Sequence, residues 1–121
     1  EEADITERCF RILMLILTFS ERNPGITRIL TGDALTGETT KLHGRVRQLF
    51  DRIEVQLKQI LREAEINHGV RTTFTVSVSA NMLLALTEGR MAQLVRSNFE
   101  YPPTKNWEDQ WSLAMVGFFR D

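Results

Sequence analysis

Cysteine is nearly absent from this chain: Cys9 is the one thiol in 121 residues. That excludes an internal disulfide framework and fits a reducing compartment. Histidine is almost as scarce. His43 and His68 lie far apart, and neither joins a metal-ligand spacing. No Cys/His cluster, glycine-rich phosphate loop, nucleophile elbow or HExxH pattern occurs. The carboxylates, Asp33 and Glu38 among them, sit among solvent-facing positions, and no spacing marks an acid/base pair. The chain therefore reads as a non-enzyme, with no catalytic, cofactor-binding or metal-binding residues. Long apolar runs are lacking too. The longest, Ile12 to Leu17, falls well short of the ~20 residues needed to cross a bilayer, so it reads as buried helix. No stretch reads as a signal peptide, and a cytoplasmic protein without membrane contact is expected. There is no excess charge of one sign: the net value is −1, which gives no global bias toward nucleic acid.

What the chain does contain is ordinary for a folded domain. Apolar residues make up 42% and charged residues 26%. The length suits one domain with a modest core, taken here as residues 1–121. No internal repeat or low-complexity segment interrupts it.

Hydrophobic spacing predicts an all-α fold of about five helices. The first runs from about Asp4 to Ser20, with Ile5, Cys9, Ile12, Ile16 and Phe19 on one face and Phe10, Leu13 and Leu17 widening it. Cys9 falls on this face and reads as a small core residue. Arg8, Arg11, Leu15, Thr18 and Arg22 lie opposite. An exposed leucine is common and can mean nothing. Among arginines it can also mark a groove for a segment that mixes acidic and apolar residues, because arginine grips carboxylates and leucine supplies apolar area.

The stretch SERNPGITRILTGDAL (Ser20 to Leu35) is a helix end, a sharp restart and a second short helix. Asn23 is placed to cap that helix, and Pro24 takes its first position, where a missing N–H costs nothing. Ile26, Ile29, Leu30 and Ala34 are expected inside, with a break at Gly37. A third helix from about Thr39 to Glu65 carries the stripe Leu42, Val46, Leu49, Ile53, Leu57, Ile60 and Ala64, flanked by Phe50 and Leu61. Glu54 and Lys58 stand four apart in the favourable order. Asn67, His68 and Gly69 end the helix, with Gly69 as a left-handed stop.

The segment Thr72 to Ser97 holds a conflict. Phe74, Val76 and Val78 alternate as in a strand, whereas from Asn81 the spacing is helical. A lone strand would have no partner, so the whole segment is read as helix. It carries two apolar faces. One is small: Thr75, Val78, Met82, Ala85, Gly89 and Ala92. The other is Val76, Leu83, Leu86 and Leu94. Tyr101, Pro102 and Pro103 form a stiff linker. A last helix starts near Trp107 with Asn106 as cap, striped by Trp107, Trp111, Ala114, Met115, Phe118 and Phe119. So much apolar helix surface favours burial against a second copy, a four-helix bundle in which Val78, Met82, Ala85, Gly89, Ala92, Trp111, Met115 and Phe118 form the seam.

Three stretches carry a family resemblance: ERNPGITRILTG, RVRQLFDRIEVQLKQILRE (Arg45 to Glu63) and VRSNFEYPPT (Val95 to Thr104). Together they resemble the C-terminal domain of the nucleoid-occlusion factors within the TetR family of helix-turn-helix DNA-binding proteins. The resemblance implies a homodimer. It also implies binding of the C-terminal tail of the division protein FtsZ, which opposes division-ring assembly over the nucleoid. Residue by residue, it carries the tail site onto Leu15, Arg22 and Asn23, with Pro24 shaping the corner. Arg8 and Arg11, on the same face by helical spacing, are expected to add attraction at the rim. Thr18 stands where the family has glycine, which bears on affinity more than on role. Family members contact DNA through an N-terminal domain that nothing here resembles, so the chain, which begins EEADIT without methionine, is expected to be a fragment.

Two other readings stand beside this one. In most TetR-type repressors such a domain senses a small molecule in a cavity among the helices, although the inward faces here offer no convergent polar cluster. The domain could also dimerise and nothing more, in which case Leu15 and the arginines are plain surface.

Overall fold

The i, i+4 ridge Ile5–Cys9–Leu13–Leu17 is fully buried along helix α1 (Glu2–Arg22), with Ser20 continuing it. The computed structural model describes residues 2–31 and 40–120. Four-residue ridges are what helices pack into each other's grooves. Hence Leu13 and Leu17, expected at the flank of the apolar face, lie at its centre. Ile12 and Ile16 are half-buried, and Phe19, expected inside, is exposed.

Helix α2 (Pro24–Leu30) follows after Asn23 alone. The expected continuation to Leu35, with Ala34 and the break at Gly37, lies outside the described residues. Thr27, not Ile26, is the buried residue of α2, and Ile26 is exposed.

Helix α3 (Thr40–His68) has 29 residues against 21 in each of α1 and α4 (Val76–Arg96), its main packing partners. At ~1.5 Å per residue it overhangs them by about 12 Å. Its stripe is therefore buried only toward the C-terminal end, through Leu57, Ile60, Leu61 and Ala64. Leu42, Val46 and Ile53 are half-buried, and Leu49 is exposed. Gly69 stops the helix at φ +67° as expected, and its N–H closes on the Glu65 carbonyl at 3.1 Å.

The reading of 72–97 as one helix is corrected. Strand β1 (Arg71–Thr72) pairs antiparallel with β2 (Phe119–Arg120), Arg71 opposite Arg120 and Thr72 opposite Phe119. The Thr73 N–H extends the ribbon to the Phe118 carbonyl at 2.8 Å. The strand does have a partner, supplied by the far end of the chain. Helix α4 starts only at Val76, with Thr75 as N-cap accepting from the Val78 N–H at 3.2 Å.

Helix α4 buries Ser79, Ala80, Leu83, Leu84, Thr87, Met91 and Leu94 against α1 and α3. The other face expected to be apolar is only partly inside, since Leu86 is 40% exposed. Helix α5 (Trp107–Met115) closes the core from the end: Trp107 and Trp111 stand 6.0 Å apart, and Trp111 meets Phe10 edge-on at 5.6 Å. Asn106 precedes α5 in the left-handed region at φ +62° with no side-chain cap bond, so the expected cap does not form.

Candidate partner-binding site

Helical spacing along α1 sends Arg8, Arg11, Leu15 and Arg22 outward together, and all four are exposed, with Thr18 half-buried among them. Leu15 is 71% exposed, an apolar side chain left open among the described residues. From Arg8 to Arg22 the helix rises ~21 Å, a span that six or seven extended residues would cover. Arg22 makes no ion pair or side-chain hydrogen bond among the described residues. Arg11 is engaged by Glu7, one turn back, with Nε 2.9 Å from Oε1. Arg8 and Arg11 also wall a groove of about 380 Å3 between α1 and α3, lined across from them by Gln56, Gln59 and Glu63. Leu15, Arg22 and Asn23 do not line this groove. Of the five residues predicted from sequence, four thus share one helix face and Asn23 follows it: Arg8 and Arg11 border a groove at the start of α1, Arg22 and Asn23 form the corner at its end, and Leu15 stands between.

The corner is fixed from within. Asn23 does not cap α2; its amide Nδ2 instead donates back to the Phe19 carbonyl at 2.8 Å, closing the end of α1. Pro24 takes the first position of α2 as expected. The fully buried Thr27 hydroxyl lies 2.9 Å from both the Ser20 and Asn23 carbonyls. Its one proton is shared between them: the Asn23 carbonyl already accepts from the Thr27 N–H at 2.9 Å, while the Ser20 carbonyl, at the end of α1, has otherwise only the Asn23 N–H at 3.3 Å. Sequence reasoning missed Thr27. A threonine four residues after a corner asparagine, placed to bond back to its carbonyl, was the available signal. Glu21, beside Arg22, turns its carboxylate inward: Oε1 accepts from the Thr104 backbone N–H at 2.9 Å and from the Thr104 hydroxyl.

Cys9 lies under this face. Burial pushes its thiol up to about 11 against the opposing pull of the Arg8 charge, which suits a packed residue and not a nucleophile. Among the described residues no cluster of His, Cys, Asp or Glu could hold a metal ion, and no helix is long and apolar enough to cross a membrane.

A second surface lies between α4 and α5. Met82, Ala85, Leu86, Gly89, Leu113 and Ala114 line an apolar groove of about 480 Å3. Val78, Met82, Ala85, Gly89 and Ala92 are all exposed, and a Cβ built on Gly89 meets nothing within 4 Å. Three residues predicted for this seam do not belong to its open face. Trp111 and Phe118 are only 6% and 7% exposed, and Met115 is half-buried. Bulky aromatics on a short helix are consumed by the domain's own core. The apolar side chains that α5 and the turn after it leave outside are Leu113 and Val116.

For the small-molecule reading, the pocket among α2, α3 and α4 is about 190 Å3, lined by Leu30, Thr31, Phe50, Glu88, Met91 and Ala92. That is below the ~300 Å3 at which ligand sites begin. The grooves of about 380 Å3 beside Arg8 and about 480 Å3 between α4 and α5 exceed it, so size does not decide against this reading. Burial, and then the charge of Glu54, pushes the Glu88 carboxyl above its ordinary value.

The chain resembles known proteins over nearly its whole length. It is 52% identical over 113 residues to the nucleoid occlusion factor SlmA of Shewanella pealeana, covering 93% of this chain and 57% of that protein. It is 51% identical over 120 residues to the nucleoid occlusion factor SlmA of Shewanella denitrificans, covering 99% of this chain and 61% of that protein. The chain thus spans less than two thirds of the length of these relatives. The family described as "Tetracyclin repressor-like, C-terminal domain", of SlmA-like type, matches residues 4–117. An all-helical core closed by α5, with an open apolar face on α4, is in keeping with that match, and the chain belongs to the SlmA-like C-terminal domain family.

Proposed function

We propose that this domain binds the C-terminal tail of FtsZ along the outer face of α1 and the corner after it, and that it homodimerises through the α4–α5 face. In the whole protein this would serve nucleoid occlusion in the cytoplasm, with DNA contacted by a domain outside these residues. The reading involves no bond chemistry and no cofactor. One observation carries it: Leu15, 71% exposed, stands two turns before Arg22, a cation with no ion-pair partner among the described residues, at a corner whose backbone is locked by Thr27. An acidic segment with an apolar side chain would cover Leu15 and pair with Arg22 together.

Calorimetric titration with a synthetic FtsZ tail peptide tests the reading. Leu15→Glu removes the apolar contact and repels an acidic tail at once. Arg22→Asp is expected to cost ~2 kcal/mol or more where the pair is partly desolvated. Arg8→Ala costs under ~1 kcal/mol, as exposed pairs do. All three lie off the core ridge, so melting curves stay near the parent's. Parent-like affinity in both Leu15→Glu and Arg22→Asp would make this face ordinary solvated surface.

A further inference from the structure

The stretch Val95 to Thr104 has no part in the tail site as described, yet it holds the corner from behind. The geometry points to Glu21 and Thr104 as positioning residues for the tail site, fastening the α1–α2 corner to the loop 97–106 so that Arg22 keeps its outward direction. The proposal rests on the tail-binding reading above.

Two separate contacts join corner and loop. Glu21 Oε1, on the residue next to Arg22, accepts from both the backbone N–H and the hydroxyl of Thr104, 83 positions along the chain. On the other side of the corner, the Arg28 guanidinium of α2 lies 5.3 Å from the centre of the Phe99 ring. The loop is itself anchored. Arg90 of α4 is only 5% exposed and donates from Nε to the Pro103 carbonyl at 3.1 Å and from Nη2 to the Lys105 carbonyl. The Tyr101 ring lies 5.0 Å from the same guanidinium. Asn98 and Phe99 sit at φ +58° and +66°. A bulky residue holds that conformation only where its surroundings over-determine it. The corner therefore rests on a stiff support that runs back to α4.

The contact has an electrostatic side as well. Glu21 would otherwise stand beside Arg22 as a carboxylate free to pair with it or to repel an acidic tail. Held by Thr104, it makes no ion pair with Arg22 among the described residues, while its negative charge stays beside the site. Position and charge make opposite predictions. Glu21→Gln keeps an acceptor oxygen for Thr104 and loses the charge; Glu21→Leu loses both.

The test measures affinity for the FtsZ tail peptide in the parent chain, Glu21→Gln, Glu21→Leu and Thr104→Val, each also in an Arg22→Ala background. Positioning predicts that Glu21→Leu weakens binding about fivefold or more and Thr104→Val by less, with Glu21→Gln close to the parent. In the Arg22→Ala background the Glu21→Leu effect shrinks below about twofold, because the residue it positions is gone. A merely structural loss would persist there. If Glu21→Leu fails to fold, Thr104→Val, which keeps the backbone bond, carries the comparison. Binding as tight as the parent's in Glu21→Leu and Thr104→Val, while Leu15→Glu abolishes it, would overturn the positioning role and leave the tail site standing. Equal tightening by Glu21→Gln and Glu21→Leu would overturn it in favour of charge alone. If Leu15→Glu itself has no effect, the tail-binding reading falls and this proposal with it.

Discussion

The hydroxyl of Thr27 lies 2.9 Å from the carbonyl oxygen of Ser20, seven residues back across the corner between α1 and α2. Both side chains are fully buried, and the Ser20 hydroxyl turns up its own helix to the Ile16 carbonyl at 3.0 Å. Two small polar residues thus replace the solvent that would otherwise satisfy this helix end, and they let α2 restart after a single residue.

Thr27→Val keeps the shape and removes the donor. It leaves the Ser20 carbonyl with only the long 3.3 Å bond from the Asn23 N–H, at an expected cost of ~1 kcal/mol. Denaturant titration reads this as a lower midpoint with an unchanged slope. A variant as stable as the parent would mean that water replaces the hydroxyl there.

Glu7 and Arg11 make a second prediction. Their pair is exposed at both ends, so it adds little to stability. It does occupy a cation at the rim of the proposed tail site. Glu7→Gln frees Arg11 and removes a negative charge from the face. Affinity for an acidic tail peptide should rise modestly, by under ~1 kcal/mol, and the gain should fade with added salt. Unchanged affinity at low salt would take Arg11 out of the site.

The seam on α4 makes a third. A Cβ built on Gly89 meets nothing within 4 Å, and it borders a groove of about 480 Å3, so Gly89→Leu is expected to fit within the monomer. Alanine-like helix propensity favours the change by up to ~1 kcal/mol. A weaker dimer with undiminished monomer stability would therefore trace to a second copy. Sedimentation is expected to show a dimer for the parent and a weaker one for Gly89→Leu, with monomer stability not reduced. A parent that sediments as a monomer at micromolar concentration overturns the seam.

The helices were legible because their cores repeat at helical steps, and the outward face of α1 could be read for the same reason. Other features depended on contacts that local pattern does not carry. Thr72 could not announce a partner as distant as Phe119, and the alternation at Phe74, Val76 and Val78 pointed to a strand just after the real one. The stripe on α5 showed that Trp111 and Phe118 seek burial, but not whether their own core or another copy receives them. Asn23 and Asn106 have the composition of caps. One bonds backward instead, and the other adopts a left-handed turn, which asparagine tolerates. The Glu21–Thr104 contact has no local signature at all.

Glu88 gives the last prediction, and its sign follows from its surroundings. It borders the pocket formed with Leu30, Phe50 and Met91. Glu88 is exposed overall, and it is the partial desolvation of its carboxyl there, followed by repulsion from Glu54, that raises its pKa in the folded state, so the effect is small. A raised acid binds its proton more tightly when folded than when unfolded. Ionised Glu88 therefore costs stability above its folded pKa. That cost shrinks as pH falls through the folded pKa and is gone below the ordinary glutamate value of ~4.3, where both states are protonated. Glu88→Gln removes the charge and keeps the shape, so it should melt higher than the parent at pH 7, with the difference closing in the acid range. Glu54→Gln should reduce the gain without abolishing it, because burial is the larger cause. Glu54 also accepts from Asn81 at 3.2 Å and pairs with Lys58 at 3.6 Å, so the comparison must be made as a double-mutant cycle and not from single variants. A difference between Glu88→Gln and the parent that stays constant from pH 4 to pH 8 would show that packing, not the charge, is what the substitution changes.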